Sequence, residues 1–156
     1  MIIPAAAVLR GLIDFSIALI VFVGLMLYYH FSPGYKMALF PVTLVWGIVA
    51  SLGVGLWFTA IGVKYRDVAQ ALPFVAQFLF WITPVGYSSA RVPSHFELLY
   101  WLNPMTGVIE GFRYSLLGYG HLPPNLLVLS IFITIVIFVT GVMNFRRMER
   151  EFADVI

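Results

Sequence analysis

Cysteine is absent from this chain of 156 residues. That absence excludes a disulfide framework, a thiolate metal site and a cysteine nucleophile, and it says nothing about redox compartment. Charge is scarce too: Asp, Glu, Lys and Arg make up 10% of the residues, against about a quarter in soluble domains. With 62% hydrophobic residues and a mean hydropathy of +0.97, the chain is an integral membrane protein. Its three histidines, His30, His95 and His121, stand far apart in expected loops or span ends, without metal-ligand spacing. No G-x-x-x-x-G-K-[ST] loop exists to cradle a nucleotide phosphate, and Gly53-Val54-Gly55 lacks the third glycine of a dinucleotide fingerprint. The chain therefore cannot hydrolyse ATP alone, and no cofactor or metal is expected on it. A catalytic nucleophile, base and electrophile that could converge are also missing, since Asp14 and Glu110 fall on opposite sides of the expected topology.

What the sequence has in quantity is long apolar runs. Residues 12–31, 37–63, 69–87 and 126–145 each hold roughly twenty mostly apolar residues, the length that crosses a bilayer. The fold class expected is all-α: a single polytopic domain over 1–156 with four transmembrane helices. The first run is not a cleaved signal peptide, because Asp14 lies in it and bulky Tyr28-Tyr29-His30 end it. The net charge of +2 comes from basic residues that flank these spans, which points to topology determinants and not to nucleic acid. Arg10, Lys64, Arg66, Arg146, Arg147 and Arg150 fall on one side and Lys36, Arg91 and Arg113 on the other. The excess on the first side predicts a multi-pass protein with both termini cytoplasmic.

Between the third and fourth spans the chain changes character. Ser94 and Glu97 have capping-box spacing and predict a short helix over about 95–102. Asn103 can cap a second helix, over 104–117, that opens on Pro104 and is closed by Gly118. Its roughly fourteen residues reach about 21 Å, short of the ~30 Å hydrocarbon core. The pair is expected to dip into the membrane or lie at its surface on the external side. Glu110 and Arg113, one turn apart in the second helix, are expected to pair, either as a structural ion pair or as part of an external gate.

Two further patterns sit on the spans. Thr43, Gly47, Ser51, Gly55 and Thr59 recur every fourth residue, a small-residue ridge for helix packing within the chain or at a subunit interface. Gln70, Phe74, Gln77 and Trp81 align on one face of the third span. Amides facing lipid lose their hydrogen bonds, so this face is expected to look into the bundle or a wet cavity, as inter-helical packing or as a path for a sugar. The tail over 146–156 turns strongly charged and is expected to prolong the last helix as a solvated face.

Four motifs in order then resemble a known family. They are Lys64-Tyr65-Arg66-Asp67-Val68, Trp81-Ile82-Thr83-Pro84-Val85-Gly86-Tyr87, the run from Asn103-Pro104-Met105-Thr106-Gly107 to Glu110-Gly111-Phe112-Arg113, and the tail from Phe145-Arg146-Arg147 to Asp154-Val155-Ile156. Together they resemble the permease subunit of type-2 ABC exporters for polysaccharides, the O-antigen, capsule and teichoic-acid group. The resemblance implies a subunit of the bacterial inner membrane that forms a homodimer and recruits separate ATP-binding subunits, which carry the ATP and Mg. The cargo it implies is a polysaccharide or lipid-linked glycan. By the same resemblance, Lys64, Tyr65, Arg66 and Asp67 meet the ATPase, and the stretch holding Asn103, Pro104, Glu110 and Arg113 is a re-entrant external element. Family permeases have six spans behind an interfacial helix, whereas this chain starts at what corresponds to the third span. A fragment, an alternative start or half of a split gene is expected. A small non-conducting membrane scaffold that keeps dimerisation is the competing reading.

Overall fold

The computed structural model describes residues 2–31, 34–87, 93–120 and 122–153, with the backbone alone for 2–8, 66, 94 and 150–153. Arg91 and Asp154 lie outside the described residues, as does the side chain of Arg66. Among the described residues the structure is all helical: α1 (Ile2–Tyr28), α2 (Phe40–Lys64), α3 (Arg66–Ile82), α4 (Ser94–Trp101), α5 (Pro104–Leu117) and α6 (Pro124–Ala153), with a 3-10 turn at Tyr35–Leu39 leading into α2. Three segments are long and apolar enough to cross a membrane, Leu9–Tyr28, Tyr35–Lys64 and Pro124–Glu149, and α3 supplies a shorter apolar stretch, Asp67–Ile82.

The helix ends follow local chemistry. α1 closes at Tyr28 by a Schellman arrangement, in which the Phe31 N–H donates to the Met26 carbonyl (2.9 Å) and the His30 N–H to that of Leu27 (3.2 Å). His30 takes the left-handed conformation, φ 53°, that such a cap requires. α3 ends at Ile82, five residues before the expected boundary of 87, because Thr83 precedes Pro84. A residue before proline is pushed into the extended region, and Thr83 has ψ 132°. The expected five-residue turn between the second and third spans is a single residue: α2 ends at Lys64, α3 begins at Arg66, and Tyr65 is extended at φ −128° and ψ 98°. Gly62 permits so sharp a corner, since a Cβ there would sit 3.3 Å from Leu72 Cδ1 and 3.6 Å from Ala69 Cβ. α4 spans Ser94–Trp101, one residue ahead of the expected 95–102, with Pro93 in the cap position. α6 runs unbroken into the charged tail as far as Ala153.

The most extensive helix contact is α2 against α6. It is made where both backbones are bare. A Cβ on Gly53 would lie 3.0 Å from the Phe138 Cα, and one on Gly141 2.9 Å from the Gly53 carbonyl oxygen. Two indole hydrogen bonds flank this crossing, Trp46 Nε1 to Thr134 Oγ1 (2.9 Å) and Trp57 Nε1 to Thr140 Oγ1 (3.1 Å).

The small-residue ridge read from the sequence packs within this chain only in part. Thr43 is buried and Gly47 packs on α5, but Gly55 has no neighbour within 4 Å of an added Cβ, and Ser51 and Thr59 are only partly covered. Steps of four residues turn the helix by about 400°, so such a ridge drifts roughly 40° per step and has left the contact face by Gly55. The face that is buried runs Thr43, Ala50, Gly53, Leu56 and Ala60. Gly141→Ala is expected to lower stability by about 1–3 kcal/mol, because the atom it meets is backbone and cannot move aside. Gly55→Ala is expected to be neutral, or to stabilise by about 0.5–1 kcal/mol through helix propensity. The midpoint of detergent-induced unfolding followed by helicity checks this, and equal midpoints for the two variants would refute it.

Candidate functional site: a helical hairpin clamped to the end of α3

α5 forms as its sequence prescribes. Asn103 is the N-cap, with its Oδ1 accepting from the Met105 N–H at 3.0 Å. Pro104 opens the helix, and Gly118 closes it at φ 76°. Lys36 reinforces that end. Its Nζ donates to the Gly118 carbonyl at 2.7 Å and stands 4.1 Å over the Tyr114 ring, a cation placed at the negative pole of the helix.

α5 lies against α2 and α6 by way of two glycines four residues apart. A Cβ on Gly107 would fall 2.6 Å from Trp46 Cη2, and one on Gly111 2.9 Å from Thr43 Cγ2. Gly47 completes the contact from α2, where a Cβ would meet Val108 Cγ1 at 3.2 Å. The rings of Phe15, Phe40 and Phe112 tie α1 into the same corner, with centroids 5.4 to 6.4 Å apart. These contacts fix depth. Trp46 is six residues into α2 and Pro104 three residues beyond Gly107, so the α4–α5 corner sits about 14 Å in from the start of α2. The chain turns at Leu102-Asn103, and α5 runs back along α2 to the end of the bundle that holds Lys36. Trp101 and Thr106, on either side of the turn, are both fully buried.

Polar atoms at that turn fasten α5 to the segment leaving α3. Asn103 Nδ2 donates to Thr83 Oγ1 at 2.8 Å, and the Thr83 hydroxyl donates to the Leu79 carbonyl at 2.7 Å. Glu110 is fully buried and ion-paired with Arg113 Nη1. Arg113 Nη2 reaches the carbonyls of Pro84 (3.2 Å), Val85 (3.3 Å) and Tyr87 (3.1 Å). Those carbonyls lack helical donors because Pro84 has ended α3. The Tyr87 hydroxyl adds a bond to the Ile82 carbonyl at 3.1 Å and lies 3.2 Å from the Tyr100 hydroxyl on α4. Asn103, Pro104, Glu110 and Arg113 thus come together with the end of α3 in one polar clamp within an apolar bundle.

The other sequence-derived groups stand apart from it. Lys64, Tyr65 and Asp67 are exposed at the opposite end of α3, with Lys64 Nζ 5.6 Å over the Tyr65 ring. Gln70, Phe74, Gln77 and Trp81 do share a face, but that face points out of this chain. Phe74 is 74% and Trp81 71% exposed, and both glutamines are exposed. The expectation that the stripe looks into the chain's own bundle is corrected: α3 packs extensively only on α2, through its other side. Among the described residues no three His, Asp or Glu side chains gather as a metal site. Sequence reasoning missed the Gly107 and Gly111 pair, although its spacing is the small-residue rule applied to α2. It also missed the Thr83 to Asn103 bond, which no local pattern announces.

Residues 1–117 match the membrane-domain model of the ABC-2 type transporter family, and the chain belongs to that family. It is similar to an O-antigen export system permease protein RfbA of Klebsiella pneumoniae, 22% identical over 99% of this chain and 60% of that protein. A protein of the same description from Myxococcus xanthus is 26% identical over 98% of this chain and 60% of its own length. The polysialic acid transport protein KpsM of Escherichia coli is 27% identical over 90% of this chain and 56% of its own. The chain thus spans about 60% of the length of these relatives.

Removal of either partner breaks the buried ion pair and is expected to cost about 3–5 kcal/mol. The double variant Glu110→Ala with Arg113→Ala is expected to cost less than the sum of the singles. Arg113→Lys should fail to rescue, since one ammonium cannot reach the carboxylate and three carbonyls at once. Unfolding midpoints for the four variants decide the matter, and strict additivity would rule the coupling out.

Proposed function

We propose that this chain acts in the permease subunit of an ATP-driven exporter that moves a polysaccharide or lipid-linked glycan out across the cytoplasmic membrane. The observation that carries the reading is similarity along 90–99% of this chain to proteins described as O-antigen and polysialic acid transporters. The chain works as a homodimer with separate ATP-binding subunits, which hold the ATP and Mg, and both of its termini face the cytoplasm.

Two features of the structure support this division of labour. The corner at Tyr65 is one residue tight, Lys64, Tyr65 and Asp67 are exposed, and α3 runs from it to the Arg113 clamp. A push from an ATPase at Tyr65 and Arg66 therefore has a rigid path to the re-entrant hairpin, with no slack loop to absorb it. The outward stripe supports a polar path against a second copy. Gln70 and Gln77, left against lipid, would hold unsatisfied amides at several kcal/mol each, whereas a wet passage between subunits satisfies them. Rings alternating with amides suit sugars, whose faces are apolar and whose edges carry hydroxyls.

Trp81 and Phe78 are 71% and 66% exposed, so truncating either opens no cavity in this chain. Trp81→Ala is expected to lower export per folded transporter about fivefold, the equivalent of ~1 kcal/mol of lost ring contact, while Phe78→Ala, off the stripe, leaves it unchanged. Equal losses at both positions would retire the sugar path. Arg66→Ala is expected to weaken co-purification of the ATP-binding subunit or uncouple hydrolysis from export. Intact binding and coupling would remove this corner from the mechanism.

A further inference from the structure

A cavity of about 720 Å³ lies between α2, α3, α5 and α6. Its walls include Val54 and Phe58 of α2, Leu79 and Phe80 of α3, Ile109 of α5 and Ile137 of α6. It opens beside the α4–α5 corner, between segments long and apolar enough to cross a membrane. Trp57, Thr83 and Asn103 bring polar side-chain atoms to this wall, each already in at least one hydrogen bond within the chain. Asn103 Nδ2 donates to Thr83 Oγ1, the Thr83 hydroxyl donates to the Leu79 carbonyl, and Asn103 Oδ1 accepts from the Met105 N–H.

A water held in a protein needs two to four polar partners, and this largely apolar wall offers few. At roughly five times the ~150 Å³ that admits one benzene molecule, the space is large enough for a hydrocarbon chain. What surrounds the cavity is set by its walls, since α2 and α6 belong to segments that cross the membrane and the neighbouring solvent is acyl chain. We infer that the cavity is a resident lipid site that takes one acyl chain of a bilayer phospholipid. The chain fills the wedge between α3 and the re-entrant corner, the place where α3 has no extensive protein contact of its own.

Because only the hydrocarbon is recognised, the bound lipids follow the headgroup composition of the membrane. The inference is independent of what, if anything, the protein transports.

The test is native mass spectrometry of the full chain extracted in mild detergent and washed free of bulk lipid. The wild type is expected to carry a phospholipid whose headgroups mirror the source membrane. Ala76→Phe, which fills the cavity from α3, is expected to lose that lipid. Ala71→Phe, on an exposed part of the same helix, is expected to keep it. Helicity and elution volume establish that each variant is folded. If Ala76→Phe does not fold, Val54→Phe fills the space from the α2 wall and must show the same loss. A lipid-free wild type, equal retention in the filled variant, selection of one headgroup, or a retained polyprenyl species in place of a phospholipid would each overturn the site.

Discussion

A carboxylate that reaches no solvent governs this structure. Glu110 is fully buried in a chain with 10% charged residues, and an ionised group in such a place persists only when it is paired and its partner's donors are used. Arg113 meets both demands, one side of its fork on Glu110 and the other on three carbonyls of residues 84–87. Those carbonyls are available because Pro84 has stopped α3. Two local facts, a proline that breaks one helix and an ion pair one turn apart on another, meet only in space. Their meeting makes the α4–α5 hairpin and the end of α3 a single body.

The pair could not sit where it does without close approach of the helices around it. Gly107 and Gly111 let α5 touch the Trp46 and Thr43 side chains, and Gly53 with Gly141 let α2 and α6 meet backbone to backbone. Between apolar helices in lipid no hydrophobic gain separates the associated from the dissociated state. Contact must come from van der Waals fit and hydrogen bonds. The indole bonds from Trp46 and Trp57 to threonines of α6 supply the second of these, and bare glycine backbones the first.

The outward faces are as informative as the packed ones. A protein that ended at its own surface would leave Gln70 and Gln77 to lipid, whereas amides alternating with rings along α3 make sense for a face that meets water or another chain. The chain spans about 60% of the length of its relatives from Klebsiella and Myxococcus. Its inner architecture is nevertheless complete enough to define a clamp, a corner and a cavity.

Much of this was readable from the residues. The all-helical membrane class followed from composition, and α5 with its Asn103 cap, Pro104 start and Gly118 stop followed from capping chemistry that acts within a few residues. The Glu110 and Arg113 pair followed from one turn of helix. The end of α3 before Pro84 was equally local, and an expectation drawn from apolar run length overrode it. Sequence periodicity could say that Thr43 to Thr59 and Gln70 to Trp81 each share a side of a helix. It could not say which way those sides point. That was decided by tertiary packing, because the direction of a face depends on which neighbour arrives and how closely its backbone can approach. The same holds for the second role of Arg113, the carbonyls it binds nearly thirty residues back along the chain. Local rules determine where helices start, stop and pair with themselves, while contacts between distant segments depend on the sum of all such fits and exist only once the bundle has closed.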